Sequence, residues 1–308
     1  MNTLFIMERF CDCNVACGTS GTDEYYLQTY RSLNIGPALV VNYDFNPVAV
    51  TVNGAKATAE QYPLDLVFYT ECGGIPSAQI HELWPWFAQR GIPVVAVWHD
   101  SQGGIVRDLD GVACNVIVDT RTAWPHIRNA LPLWVPHHPN LFYDDGRHRP
   151  HDVIFPSSRN SKSIAAQYRT FLEANSIPVH WRGGQREDRL SWYDYAEEYR
   201  HGKICLNFPR NSPDRSPQVK SRVTEALYCG CCLFEHGHDH MTDMLIEGKE
   251  YVSFITPEDC LNKIRWHLEH PAVLRAIAEA GRNRAIRDYS PRQWWNAVFA
   301  AVGLNPAP

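Results

Sequence analysis

The sequence predicts two α/β domains in tandem, each built on its own parallel sheet. Three observations lead there. The 308 residues exceed what one ordinary core needs and suit two domains. Short, β-branched, nearly continuous apolar runs recur along the chain, as strands covered on both faces require. Stretches of helical character alternate with those runs, which is the order of βα units.

In the first half the strands are residues 4–7 (LFIM), 38–43 (ALVVNY), 64–70 (LDLVFYT), 93–98 (PVVAVW) and 114–119 (CNVIVD). Helices are expected between them, over 23–33 and 77–89. Residues 132–152 (PLWVPHHPNLFYDDGRHRPHD) are rich in proline, histidine and charge and have no clean period, so they read as the linker leaving the first domain. That places an N-terminal domain over 1–147 and a C-terminal domain over 148–308. The second half repeats the pattern with strands at 151–157 (HDVIFPS), 177–181 (IPVHW) and 203–208 (KICLNF), and helices at 164–175 and 192–201. Ser216 and Pro217 read as the N-cap and first position of the next helix. Its apolar face is Val219, Val223, Ala226 and Leu227, and Gly230 is its stop. CCLFE (231–235) is the following strand, and Thr256-Pro257-Glu258-Asp259 opens a further helix with capping-box-like spacing.

Composition excludes several classes. Hydrophobic residues at 44% and charged residues at 20% describe a globular chain. No run approaches the ~18 apolar residues of a membrane span. The apolar start is broken at once by Glu8 and Arg9, which is unlike a signal peptide. A soluble cytoplasmic protein is expected, with its ten cysteines reduced. Cys11, Cys13 and Cys17 lack the paired C-x2-C spacing of structural zinc, and Cys205 and Cys232 read as small core residues. Up to residue 150 there are nine Lys+Arg against fifteen Asp+Glu, and beyond it twenty against nineteen. Neither half is a basic nucleic-acid surface, although Arg210, Arg215, Lys220 and Arg222 cluster locally. There is no GxGxxG and no Walker loop, and the small-residue loop GTSGTDE carries no phosphate signature by itself.

From about residue 200 to 290 the sequence becomes specific. KICLNFPRN, QVKSRVTEALYCGCCLFEHG and the segment from LIEGKEYV to IAEAGR resemble the C-terminal domain of group 1-like glycosyltransferases of the GT-B fold, most of all the spore-maturation CgeB-like branch. The matching residues are Lys220, Arg222, Glu225, Cys229-Gly230, Gly248-Lys249-Glu250 and Ile277 to Arg282, about a third of the chain. Weaker likeness extends to VPHHPNLF and to Trp98-His99-Asp100. The resemblance implies two Rossmann-like domains facing a central cleft, with the last helix, around Trp294 and Trp295, packed back on the first domain. It implies a nucleoside-diphosphate sugar as donor substrate, a hydroxyl acceptor, and no metal or other cofactor. Lys220 and Arg222 would hold the diphosphate, with Arg210 and His236 nearby, and Glu225 the ribose. Physically, arginine, lysine and a helix N-terminus all stabilise a departing diphosphate. On spacing alone, an exposed Arg222–Glu225 pair at i, i+3, worth a few tenths of a kcal/mol, is the plain alternative.

His99 and Asp100 close a strand, so Asp100 is a candidate base for the acceptor hydroxyl, with Glu71 and Asp12 as further candidates. Asp100 as a turn cap is the alternative. His236, His238 and His240 share a face if extended and could bind a metal. One departure matters. Retaining members of the wider group carry a first glutamate eight positions before the ribose glutamate, where this chain has Pro217, so neither donor sugar nor stereochemistry carries over. Competing functions are transfer to a hydroxymethylated pyrimidine in DNA, a non-catalytic nucleotide-sugar binder, and a redox or metal protein using the cysteines.

Overall fold

A computed structural model describes residues 1–17, 19–44, 47–71, 78–99, 106–118, 124–157, 163–183, 189–210, 217–237 and 239–305. The chain divides into two compact units, one of Met1–His138 with Pro291–Pro308, the other of Pro139–Ser290.

The first unit carries strands β1 (Thr3–Met7), β2 (Ala38–Asn42), β3 (Leu66–Glu71), β4 (Val94–Trp98), β5 (Cys114–Ile117) and β6 (Ala130–Pro132). All pair in parallel, in the order β2-β1-β3-β4-β5-β6. Every residue of β1, β3, β4 and β5 is buried, which is why these segments read as unbroken apolar runs. The helices are α1 (Gln28–Ser32), α2 (Val48–Gln61), α3 (Ala78–His81) and α4 (Leu83–Ala88). The expected helix over 23–33 opens as a π-helical turn, Asp23–Leu27, before α1. The one expected over 77–89 is split into α3 and α4. Strand β6 ends at Pro132, the first residue of the stretch read as linker.

The second unit carries β7 (His151–Ile154), α5 (Ile164–Ala174), β8 (Val179–His180), α6 (Trp192–Arg200), β9 (Gly202–Asn207), α7 (Ser221–Tyr228), β10 (Cys232–His236), β11 (Val252–Phe254), α8 (Pro257–Glu269) and α9 (Pro271–Asp288). Its sheet is also wholly parallel, in the order β11-β10-β9-β7-β8. The Thr256 cap forms as expected, accepting from Asp259 N, while the Asp259 carboxylate reaches back to Ile255 N. Gly230, at φ +72°, ends α7 with its amide on Leu227 O. Gly281, in the IAEAGR motif, lets α9 lie close: a Cβ there would fall 2.4 Å from Glu250 O and 2.7 Å from Leu227 Cδ2.

The unit boundary falls at 138/139, not at the expected 147/148. Residues 139–149 are held by the second unit: Arg200 donates to Leu141 O at 2.6 Å, and Arg149 to Gly202 O at 2.8 Å and Tyr199 O at 3.1 Å. Phe142 is fully buried against Tyr195 and Tyr199.

The last helix, α10 (Pro291–Ala301), belongs to the first unit. Trp294 and Trp295 are both fully buried there, Trp295 against Phe5, Tyr30 and Phe68. Their indole N–H groups donate to Trp134 O and Thr29 Oγ1. Burial on this scale stabilises by roughly 4–6 kcal/mol per ring as an upper estimate.

Candidate functional site

In doubly wound sheets a ligand binds beyond the carboxyl ends of the strands, where the strand order reverses. In the second unit that point lies between β7 and β9. Arg222, in the first turn of α7, spans it. Its Nε donates to Pro156 O, just past β7, at 2.9 Å, and its Nη1 to Asn207 Oδ1, the last residue of β9, at 2.6 Å. The guanidinium lies 4.8 Å from the centre of the Phe155 ring. Nη2 has no partner among the described residues. Asn207 in turn donates from Nδ2 to Glu235 Oε2 on β10 at 2.7 Å, and both side chains are fully buried. Burial alone would favour the neutral guanidine, but the polar surroundings, with the Glu225 carboxylate among them, outweigh it and hold the Arg222 pKa above its usual value. The result is a permanent cation, fixed in direction at the ends of two strands and half-buried there.

The helix carrying it starts later than expected. Gln218 N bonds back to Pro209 O, and Lys220, with φ −69° and ψ 151°, occupies the N-cap, so 217–220 lie outside the helix and α7 begins at Ser221. Ser216 lies outside the described residues. The apolar face stands as read: Val223, Ala226 and Leu227 are fully buried, and Val219 is buried just ahead of the helix. Lys220 Nζ donates to Gln218 Oε1 beside this N-terminus. Arg210 is exposed, three residues beyond β9. His236 closes β10 among the rings of Tyr168, Phe208 and Phe254. His238 lies outside the described residues, and no cluster of metal-ligating side chains occurs among those described.

Glu225 is corrected. It was expected to present its carboxylate to a ribose, but it is 0% exposed, and its Oε2 accepts from Tyr199 Oη at 2.6 Å and Tyr195 Oη at 3.0 Å. Burial first, and the Glu225 charge second, raise both tyrosine pKa values, so the hydroxyls stay protonated and donate. Glu225 ties α6 to α7 from behind the site. The exposed i, i+3 pair with Arg222 is also absent, since each residue is committed elsewhere.

In the first unit the order reverses between β1 and β3. Glu71 ends β3, is buried, and accepts from Tyr69 Oη at 3.4 Å. His81 Nε2 stands 3.6 Å from Glu71 Oε2, too long for a hydrogen bond. His99, just past β4, pairs through Nε2 with Tyr26 Oη at 3.0 Å. Asp100 and the side chain of Asp12 lie outside the described residues. A carboxylate the sequence reading passed over, Glu8, follows β1: it is buried and accepts from Ser20 Oγ at 2.5 Å. Glu8, Asn207 and Glu235 share a signal that could have found them. Each is a polar residue at or next to the carboxyl end of a buried apolar strand, where burial without a partner is costly.

The chain is similar to known proteins in sequence over one region and in fold throughout. Residues 162–300, somewhat under half of the chain, match the family described as glycosyl transferase-like. No curated protein matches the sequence. Among solved structures, Alr3699/HepE from Anabaena in complex with UDP-glucose aligns with a TM-score of 0.64 at 10% identity, over 99% of this chain and 100% of that one. A glycosyltransferase from Rickettsia africae ESF-5 aligns at 0.62 and 11% identity, over 98% and 97%. Sucrose-phosphate synthase (tll1590) from Thermosynechococcus elongatus aligns at 0.56 and 12% identity, over 98% and 100%. The likeness is one of fold, and the fold is GT-B.

Proposed function

We infer that this chain, a glycosyltransferase of the GT-B fold, moves a sugar from a nucleoside-diphosphate donor to a hydroxyl acceptor, with a uridine diphosphate sugar as the donor. The observation that carries the reading is Arg222, a permanent cation held by β7 and β9 at the strand-order reversal with Nη2 uncommitted. The choice of uridine is supported by HepE, whose solved complexes contain UDP and UDP-glucose.

The chemistry asks for charge where the leaving group forms. As the bond from the sugar anomeric carbon to the diphosphate breaks, negative charge grows on the diphosphate oxygens, and Arg222, Lys220 and the α7 N-terminus stabilise it. The acceptor oxygen forms the new bond to that carbon and gives up its proton to a carboxylate. Asp100 is assigned as that base, with Glu71 as the alternative and His99 beside it. No metal is needed when fixed cations neutralise the diphosphate. The acceptor is a glycan, protein or small-molecule hydroxyl; the acidic first half disfavours a DNA acceptor.

Thermal shift with UDP, uridine and UDP-glucose tests the reading, since a ligand that binds only the folded state raises its stability by mass action. UDP and UDP-glucose should stabilise the protein well beyond uridine, and UDP should be released from UDP-glucose when an acceptor panel is added. No shift with any nucleoside diphosphate would remove the donor-site assignment.

A further inference from the structure

The second unit has another concave site, at the opposite end of its strands. A groove of about 690 Å³ is bounded by residues 147–149 ahead of β7, Lys203 near the start of β9, Gly230 ahead of β10, and one face of α9. Its size suits a small organic ligand. None of the residues assigned to the donor lines it.

Its charges are unevenly satisfied. Arg147 pairs with Asp145 and Glu197, Arg149 with Asp144, and Lys203 with Asp152 at 2.6 Å. Arg275 and Arg282, two turns apart on α9, have no ion pair among the described residues. Arg282 Nε is shielded from solvent with no hydrogen-bond partner among the described residues, so it is the rest of this guanidinium that the groove can reach. A guanidinium with no ion pair gains a charge-assisted partner when an anion enters the groove. Glu279, one turn from each of these two arginines, and Asp144 are the carboxylates that limit the net charge. Beside these groups the wall is apolar: Leu268, Pro271, Leu274 and Ala278.

We propose that this groove binds a small soluble phosphomonoester with an apolar body, the phosphate held by Arg275 and Arg282 and the body lying on Leu268, Pro271 and Leu274. Guanidinium groups match phosphate oxygens two at a time, which an ammonium does not. A bound ligand would clamp α9 to the amino ends of the strands and stabilise the second unit. The site does not depend on the glycosyltransferase reading.

Calorimetric titration of the full chain with phenyl phosphate tests it, with benzyl alcohol as the uncharged control. Saturable binding of phenyl phosphate alone is expected, weakened roughly tenfold or more in Arg282→Gln and in Arg275→Gln. Arg275 is exposed, so its variant reports even if Arg282→Gln folds poorly. The donor site also attracts phosphate, so the titration is repeated on Arg222→Gln, where binding should persist. Loss of binding in Arg222→Gln with retention in Arg275→Gln would place the probe at the donor site and overturn the proposal. So would absence of saturable binding, or Arg282-dependent binding confined to phosphatidic acid vesicles.

Discussion

Replacing Arg222 with glutamine separates a donor ligand from a structural residue. The change removes the charge and Nη2 while keeping much of the side-chain length. If Nη2 and the positive charge meet the diphosphate, UDP loses one charge-assisted hydrogen bond, worth about 1.5–3 kcal/mol, or roughly 12- to 160-fold in Kd. Uridine, which has no phosphate, should lose less than about twofold. A stability cost is expected as well, because Pro156 O and Asn207 Oδ1 lose their 2.9 and 2.6 Å donors. An abandoned buried acceptor costs about 1–3 kcal/mol, which for a unit of this size is a Tm drop of several degrees. Titration calorimetry with UDP and uridine, run below the lowered Tm, isolates the binding effect. Equal losses for the two ligands, or none for either, would refute the diphosphate role and leave Arg222 as a strut between β7 and β9.

The remaining predictions concern its neighbours and the first unit. Glu225→Gln should cost about 1–3 kcal/mol in urea unfolding by weakening the acceptor for Tyr195 and Tyr199, with UDP affinity within about threefold of the parent; lost UDP binding at unchanged stability would restore a ribose contact. Asp100→Asn should keep UDP binding and lower transfer by roughly 10²–10⁴-fold, and near-normal turnover would pass the role to Glu71. His137 is fully buried, and burial first and His138 second push its pKa down to about 3. The unfolded chain therefore takes up this proton first, so stability is complete above pH ~6.5 and falls by up to about 1.4 kcal/mol per unit as pH drops toward 3. His137→Leu should flatten that slope between pH 7.5 and 5; an unchanged slope would assign it to other groups.

How much of this was legible in the sequence depended on the range of the interactions involved. Buried parallel strands announce themselves because both faces are covered, so β1, β3, β4 and β9 read as apolar runs, and capping chemistry marked the start of α8 from four residues. Local signals failed where a distant partner decided. Pro217 looks like a helix start, but Gln218 spends its amide on Pro209 O and α7 opens later. Residues 139–149 look like a linker, but the arginines at 149 and 200 bind them to the second unit.

The donor-site stretch shows the same division. Spacing placed Lys220, Arg222 and Glu225 on one short helix, and the order of residues alone made them a candidate set. Which of them points at the strand ends was decided by folding. Arg222 meets carbonyls 66 and 15 positions away and stays half-buried as a cation, whereas Glu225, three residues on, turns under the helix toward two tyrosines 26 and 30 positions away. Residue type and helical period are properties of a window of chain, and the sequence carries them by itself. The direction in which a carboxylate finds its hydrogen bonds is set by groups that only the packed sheet brings near, and that belongs to the tertiary structure.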